Sequence, residues 1–149
     1  MNVQDENKSL KQRIAELEEL AKEEQEFPQD GDKYWYVGAT GRIFNSEWDG
    51  FASTEGVLEI DNVYKTKQEA EFAVEKLKIE AELRKYSRPF ERGSLNFIMC
   101  FDVEENKLYS ETRRFMNQGS LYFDWGQVVR AIETVGKERI KKYIFGVED

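Results

Sequence analysis

Asn62-Val-Tyr-Lys-Thr-Lys-Gln-Glu-Ala-Glu-Phe-Ala-Val-Glu-Lys-Leu-Lys78 is the stretch that decides the fold. It ends a strand read over about residues 58–65 and then changes period. Thr66 with Glu69 three residues on makes a capping box. Ala70, Ala73, Val74, Leu77 and Ala81 then return at helical spacing, so a helix over about residues 67–86 lays one apolar stripe against a core. Pro89 lies just beyond its end. A shift of 58 residues repeats the junction: Val63-Tyr64 falls on Leu121-Tyr122, Ala70 on Val128, Ala73 on Ala131, Val74 on Ile132 and Leu77 on Val135.

Working outward, Lys33–Ala39 is rich in β-formers and turns through Thr40-Gly41 into Arg42–Asn45, a hairpin. Residues 46–57, with Trp48 and Phe51, read as a loop. In the second half, strands over 96–102 and 107–115 flank a polar turn at Glu104-Glu105-Asn106, and Ser120–Phe123 forms a third. Asp124 caps a shorter helix that Gly136 ends, and a last helix covers about 137–145. The expectation is an α+β head of two β-β-β-α pseudo-repeats, about 33–88 and 94–136. Its antiparallel sheet has up to six strands, with the helices on one face.

Ahead of the head, residues 1–26 read as a coiled-coil helix and 27–32, with Pro28 and Asp30-Gly31-Asp32, as a linker. Asn7, Ile14 and Ala21 occupy a positions; Val3, Leu10 and Leu17 occupy d positions. A β-branched residue at a with leucines at d favours two parallel strands. In that register Glu6 faces Lys11 of a partner helix and Arg13 faces Glu18. The chain is therefore expected to be a homo-oligomer, a parallel dimer or higher.

Composition narrows the function. The 149 residues carry a net charge of −8. The first 32 residues hold four Lys/Arg against ten Asp/Glu, so most of the acidity belongs to the stalk. Charge gives no support to nonspecific DNA binding. No apolar run approaches the length of a membrane span, and the charged N-terminus without an apolar segment reads as cytoplasmic. Histidine is absent, which removes the commonest general base and most zinc sites. The single cysteine, Cys100, sits in the apolar run 96–101 and reads as a small core residue. Acidic pairs such as Glu18-Glu19 and Glu104-Glu105 read as solvated charge, because carboxylate catalysis needs one carboxyl in an apolar pocket. The chain is expected to be no enzyme and to need no metal or cofactor.

Aromatic and basic residues are the binding candidates. Tyr34 and Tyr36 share one face of their strand while Trp35 and Val37 share the other, so one aromatic set is free to stack on a ring-bearing ligand, with Trp48 nearby in sequence. Arg42, Arg88, Arg92, Arg113 and Arg114 offer guanidinium forks for phosphate or carboxylate if they converge.

The segments Asp30–Tyr36, Asn62–Lys78 and Arg139–Glu148 resemble a family of small accessory proteins of phages and prophages of Gram-positive bacteria. That resemblance implies a context of counter-defence, takeover of a host factor or a minor virion role, inside the bacterial host cell. The leading expectation is a non-catalytic oligomer that captures a host defence component, with a lean toward sequestering a nucleotide-like immune signal. The alternatives are an inhibitor of a host defence nuclease, in the manner of an anti-CRISPR, and a structural or virion protein.

Overall fold

The computed structural model describes residues 3–23, 27–50 and 52–148. Helix α1 spans Val3–Glu23. In the head the order is β1 (Lys33–Val37), β2 (Ile43–Glu47), α2 (Ala52–Glu59), α3 (Lys67–Arg84), β3 (Asn96–Asp102), β4 (Lys107–Arg113), α4 (Trp125–Val135) and α5 (Lys137–Tyr143). The architecture is mixed α+β. Among the described residues no helix is long and apolar enough to cross a membrane.

The single sheet of up to six strands is corrected to two antiparallel hairpins, β1-β2 and β3-β4. β1 pairs Lys33 with Glu47 through Val37 with Ile43, and β3 pairs Asn96 with Arg113 through Asp102 with Lys107. The third strand of each half shrinks to isolated bridges, Trp35 with Tyr64, Phe97 with Phe123, and Arg88 with Tyr122. The reason is local. Residues 52–59, expected as loop and strand, are helical, and Asp61 takes a left-handed φ of 57° that turns the chain. Asn62 then pairs with β1 through its side chain, Oδ1 accepting from Val37 N and Nδ2 donating to Val37 O, both at 2.8 Å. One backbone bridge and one amide side chain thus do the work of a strand. Phe51 lies outside the described residues.

Thr66 caps α3 as read from the sequence: Glu69 N donates to Thr66 Oγ1 at 3.1 Å, and Glu69 Oε2 accepts from Lys65 N. The expected stripe holds only at its start. Ala70 and Val74 are buried, but Leu77 is 53% exposed, and the other buried positions are Ile79 and Leu83. At about 100° per residue, those two lie roughly 180° around the helix from Ala70 and Val74. The first face meets the hairpin, where a Cβ added to Gly41 would sit 3.9 Å from Val74 Cγ1. The second joins the main core of Phe123, Val128, Ala131, Val135 and Ile140, and Phe72 on the same side meets the Tyr143 ring at a tilt, 4.9 Å between centroids. α3 is a beam between two halves, packed against β1 and β2 on one side and α4 and α5 on the other.

Asp124 occupies the N-cap position of α4 with extended backbone, yet its carboxylate makes no capping bond. Arg88 takes it instead. Gly136, at φ 100°, ends α4 and begins α5.

Every described side chain of α1 from Val3 to Ala21 is exposed. The expected seam residues Val3, Asn7, Leu10, Ile14, Leu17 and Ala21 therefore point away from any core of their own chain, with Ile14 at 54% and Leu17 at 57%. Residues 1, 2 and 24–26 of the expected coil lie outside the described residues.

Candidate functional site

The loop between α3 and β3 is built around two polar side chains. Asn96 is 1% exposed and has both ends of its amide engaged. Its Nδ2 donates to Glu91 O at 2.9 Å and Ser94 O at 3.1 Å, and its Oδ1 accepts from Glu91 N at 2.9 Å and Arg88 Nη1 at 2.8 Å. Gly93, at φ 82°, supplies the left-handed turn inside that loop. Arg88 donates from Nε to Asp124 Oδ1 at 2.8 Å, from Nη1 to Pro89 O at 3.0 Å and from Nη2 to Leu95 O at 2.8 Å. Arg88, expected as a ligand group, is instead a structural clamp tying the loop to the start of α4. All three of its guanidinium nitrogens are committed.

The clamp shapes a hollow of about 450 Å³. One wall is the loop, with Phe90, Gly93, Ser94 and Leu95; the other is the end of β4, with Thr112, Arg113 and Arg114. Because Asn96 pairs with Arg113, Arg114 falls level with Leu95 across the hairpin. Arg113 bonds Glu111 Oε2 at 2.7 Å, and that hydrogen bond is the main reason its guanidinium is held more firmly protonated than usual. Arg114 is exposed and makes no ion pair among the described residues. Arg92, also exposed and without an ion pair there, stands on the loop beside the hollow without lining it. The ring of Phe90 meets Tyr122 edge-on at 5.2 Å, which fixes its plane at the wall. An anion with a flat or apolar body has a place here.

The aromatic candidates go elsewhere. On the outer face of β1-β2, Trp48, Tyr34, Tyr36 and Phe44 form a continuous row with centroid spacings of 5.6, 5.7 and 5.5 Å. Tyr34 and Trp48 are buried at 4% and 7%, so neither offers a free ring, and the expected open stacking face is corrected to one covered at these two residues. Tyr36 is half-buried, and Phe44 at the end of the row is 43% exposed. Gly38 makes the row possible, since a Cβ there would reach 2.5 Å from the Phe44 ring. Arg42 stands in the turn of this hairpin, in the other half of the chain from the arginine-lined hollow.

Cys100 is half-buried rather than core, with Sγ 4.0 Å from Glu111 Oε2. Burial, reinforced by the Glu111 charge, raises its pKa, so the thiol is a poor nucleophile near neutral pH. Among the described residues no group of three or more His, Cys, Asp or Glu is placed to hold a metal ion.

Of the residues lining this hollow, the sequence reading named Arg113 and Arg114 as binding candidates and did not name Phe90, Ser94, Asn96 or Thr112. The bracketing of Phe90-Glu91-Arg92 by Pro89 and Gly93 was the available signal that this segment forms a shaped loop. Comparison of the chain with protein-family models, curated proteins and solved structures finds no match.

Proposed function

We propose that the chain is a non-enzymatic, phage-encoded binding protein of counter-defence, oligomeric through α1, that sequesters a nucleotide-like host immune signal in the bacterial cytoplasm. The observation that carries the ligand is the hollow between the 90–96 loop and the end of β4, where Arg114, without an ion pair among the described residues, lines the wall opposite Phe90. Guanidinium forks suit phosphate, and an aromatic wall suits a base. The oligomer rests on the exposed seam of α1 and on the attraction of Glu6 for Lys11 and of Arg13 for Glu18 in a parallel pair. The two halves, each a hairpin bridged to the segment before a helix, are read as a duplication. Phage origin rests on the sequence resemblance.

Heat-denaturing the protein purified from cells with an active defence, and analysing the supernatant by mass spectrometry, tests this reading. Release of an intact phosphorylated small molecule supports it. Release of a chemically altered product indicates an enzyme, and an empty supernatant together with no binding of a nucleotide panel refutes the ligand. A second reading, inhibition of a host defence nuclease, is favoured by the exposure of Phe115 at 63%, Met116 at 71% and Trp125 at 63%. Recovery of a stoichiometric host protein would favour it.

A further inference from the structure

A second hollow, of about 340 Å³, opens between the C-terminal half of α3, β3, the 119–121 segment and the turn after α5. Its volume falls within the range of small-molecule sites. Leu83, Ile98 and Phe123, at 2%, 6% and 1% exposure, form part of its lining, and Leu83 and Phe123 belong to the main core. The hollow therefore reaches the apolar interior of the larger half. Half-buried Met99, Leu121 and Phe145 add further apolar wall.

Its charged groups are both on α3. Glu80 and Arg84 line the hollow and are four residues apart, so their Cβ atoms lie about 5–6 Å from each other on one side of the helix. That spacing ordinarily closes an ion pair, yet among the described residues neither side chain makes an ion pair or hydrogen bond. An apolar cavity is thus flanked by one carboxylate and one guanidinium about a helical turn apart, each with its hydrogen-bonding capacity open.

We propose that this hollow binds a small zwitterion with a large apolar side chain, an apolar α-amino acid. The carboxylate meets Arg84, the ammonium meets Glu80, and the side chain enters against Leu83, Ile98 and Phe123. A nucleotide fits poorly, because Arg84 is the one cation lining the hollow among the described residues and the Glu80 carboxylate a helical turn away repels a phosphate. A simple fatty carboxylate would leave Glu80 facing a like charge. This site is separate from the arginine-lined hollow and does not depend on what binds there.

Isothermal titration of the full chain with L-phenylalanine, L-leucine and L-methionine tests the assignment. 2-Phenylethylamine lacks the carboxylate, 3-phenylpropionate lacks the ammonium, and glycine lacks the apolar body. At least one of the three amino acids should bind saturably, and the phenyl analogues and glycine should bind at least about tenfold more weakly. Arg84→Gln and Glu80→Gln should each weaken the amino acid by a similar factor while keeping the thermal transition, since neither residue is part of the core. The proposal is overturned if no amino acid binds up to about 10 mM, if either charge-deleted analogue binds as tightly as phenylalanine, or if both variants bind like wild type.

Discussion

Replacing Arg88 by alanine should unfold the protein more easily, because the guanidinium ties three pieces of chain together, its own segment at Pro89, residues 95–96 and Asp124 at the start of α4. It donates to Asp124, Pro89 O, Asn96 and Leu95 O at 2.8 to 3.0 Å, with only 15% of the side chain exposed. The Asp124 carboxylate is 65% exposed, so that ion pair contributes little, up to about 1 kcal/mol. Asn96 keeps Glu91 N as a second donor to Oδ1 and is not orphaned. The carbonyls of Pro89 and Leu95 lose a charged donor but can take water in exchange. Charge-assisted hydrogen bonds are worth roughly 1.5–3 kcal/mol each before such compensation, so a net loss of about 2–4 kcal/mol follows. At roughly 4 °C per kcal/mol for a chain of this size, the midpoint falls by about 8–16 °C. Differential scanning calorimetry at neutral pH reads it directly. Arg88→Lys should recover less than half, since an ammonium cannot reproduce the fork. A midpoint for Arg88→Ala within about 2 °C of wild type would refute the clamp and return Arg88 to the list of ligand groups.

Ile79→Ala should cost about 2–5 kcal/mol in urea unfolding and Leu77→Ala less than about 1 kcal/mol; equal costs would sink the two-faced reading of α3. Ile14→Asp with Leu17→Asp should lower the oligomer mass seen by light scattering while the far-UV signal of the head persists, and an unchanged mass would exclude the coil. Tyr64, mainly through burial, and Cys100 both have raised pKa values, so their protonated forms are favoured in the native state. Their contribution is fully present below the ordinary thiol value of 9.0 and is lost as pH rises through the raised values, so the thermal midpoint should fall more steeply above pH 9 than in Tyr64→Phe with Cys100→Ser; parallel curves would contradict this.

Elements carried by short-range chemistry were legible in the sequence. The Thr66 cap, the β3-β4 hairpin and the break at Gly136 all follow from residues within a few positions of one another. The third strands were not legible, because Asn62 replaces a backbone pair with a side-chain amide, and no alternation reports that. The stripe on α3 misled for a related reason. A helix buried on opposite faces in its two halves has no single apolar side, so Leu77 fits the pattern while Ile79 does the packing. At the candidate site, residue type pointed to arginines, but only the fold separates Arg88, consumed by its neighbours, from Arg114, which remains open. Tyr34 and Tyr36 do share a face as alternation requires, but the sequence could not tell that Trp48 and Phe44 would complete the row or that Tyr34 and Trp48 would be buried in it.

Two-stranded hairpins are marginal alone in water, so each half must borrow stability from α3, and they borrow unequally. The first hairpin meets Ala70 and Val74 and keeps a small aromatic row of its own, whereas the second rests on Ile79, Leu83, α4 and α5 around the largest buried cluster. Preorganised binding groups belong on the better-held part of a scaffold, because looseness in the walls costs affinity through the entropy of ordering them. The two hollows argued as sites above, the one beside Arg114 and the one beside Glu80 and Arg84, are lined largely by the second half. The first half, with Tyr34 and Trp48 buried in its aromatic row, lies between α1 and that second half in chain order, so assembly through α1 as proposed would bring copies of the second half together.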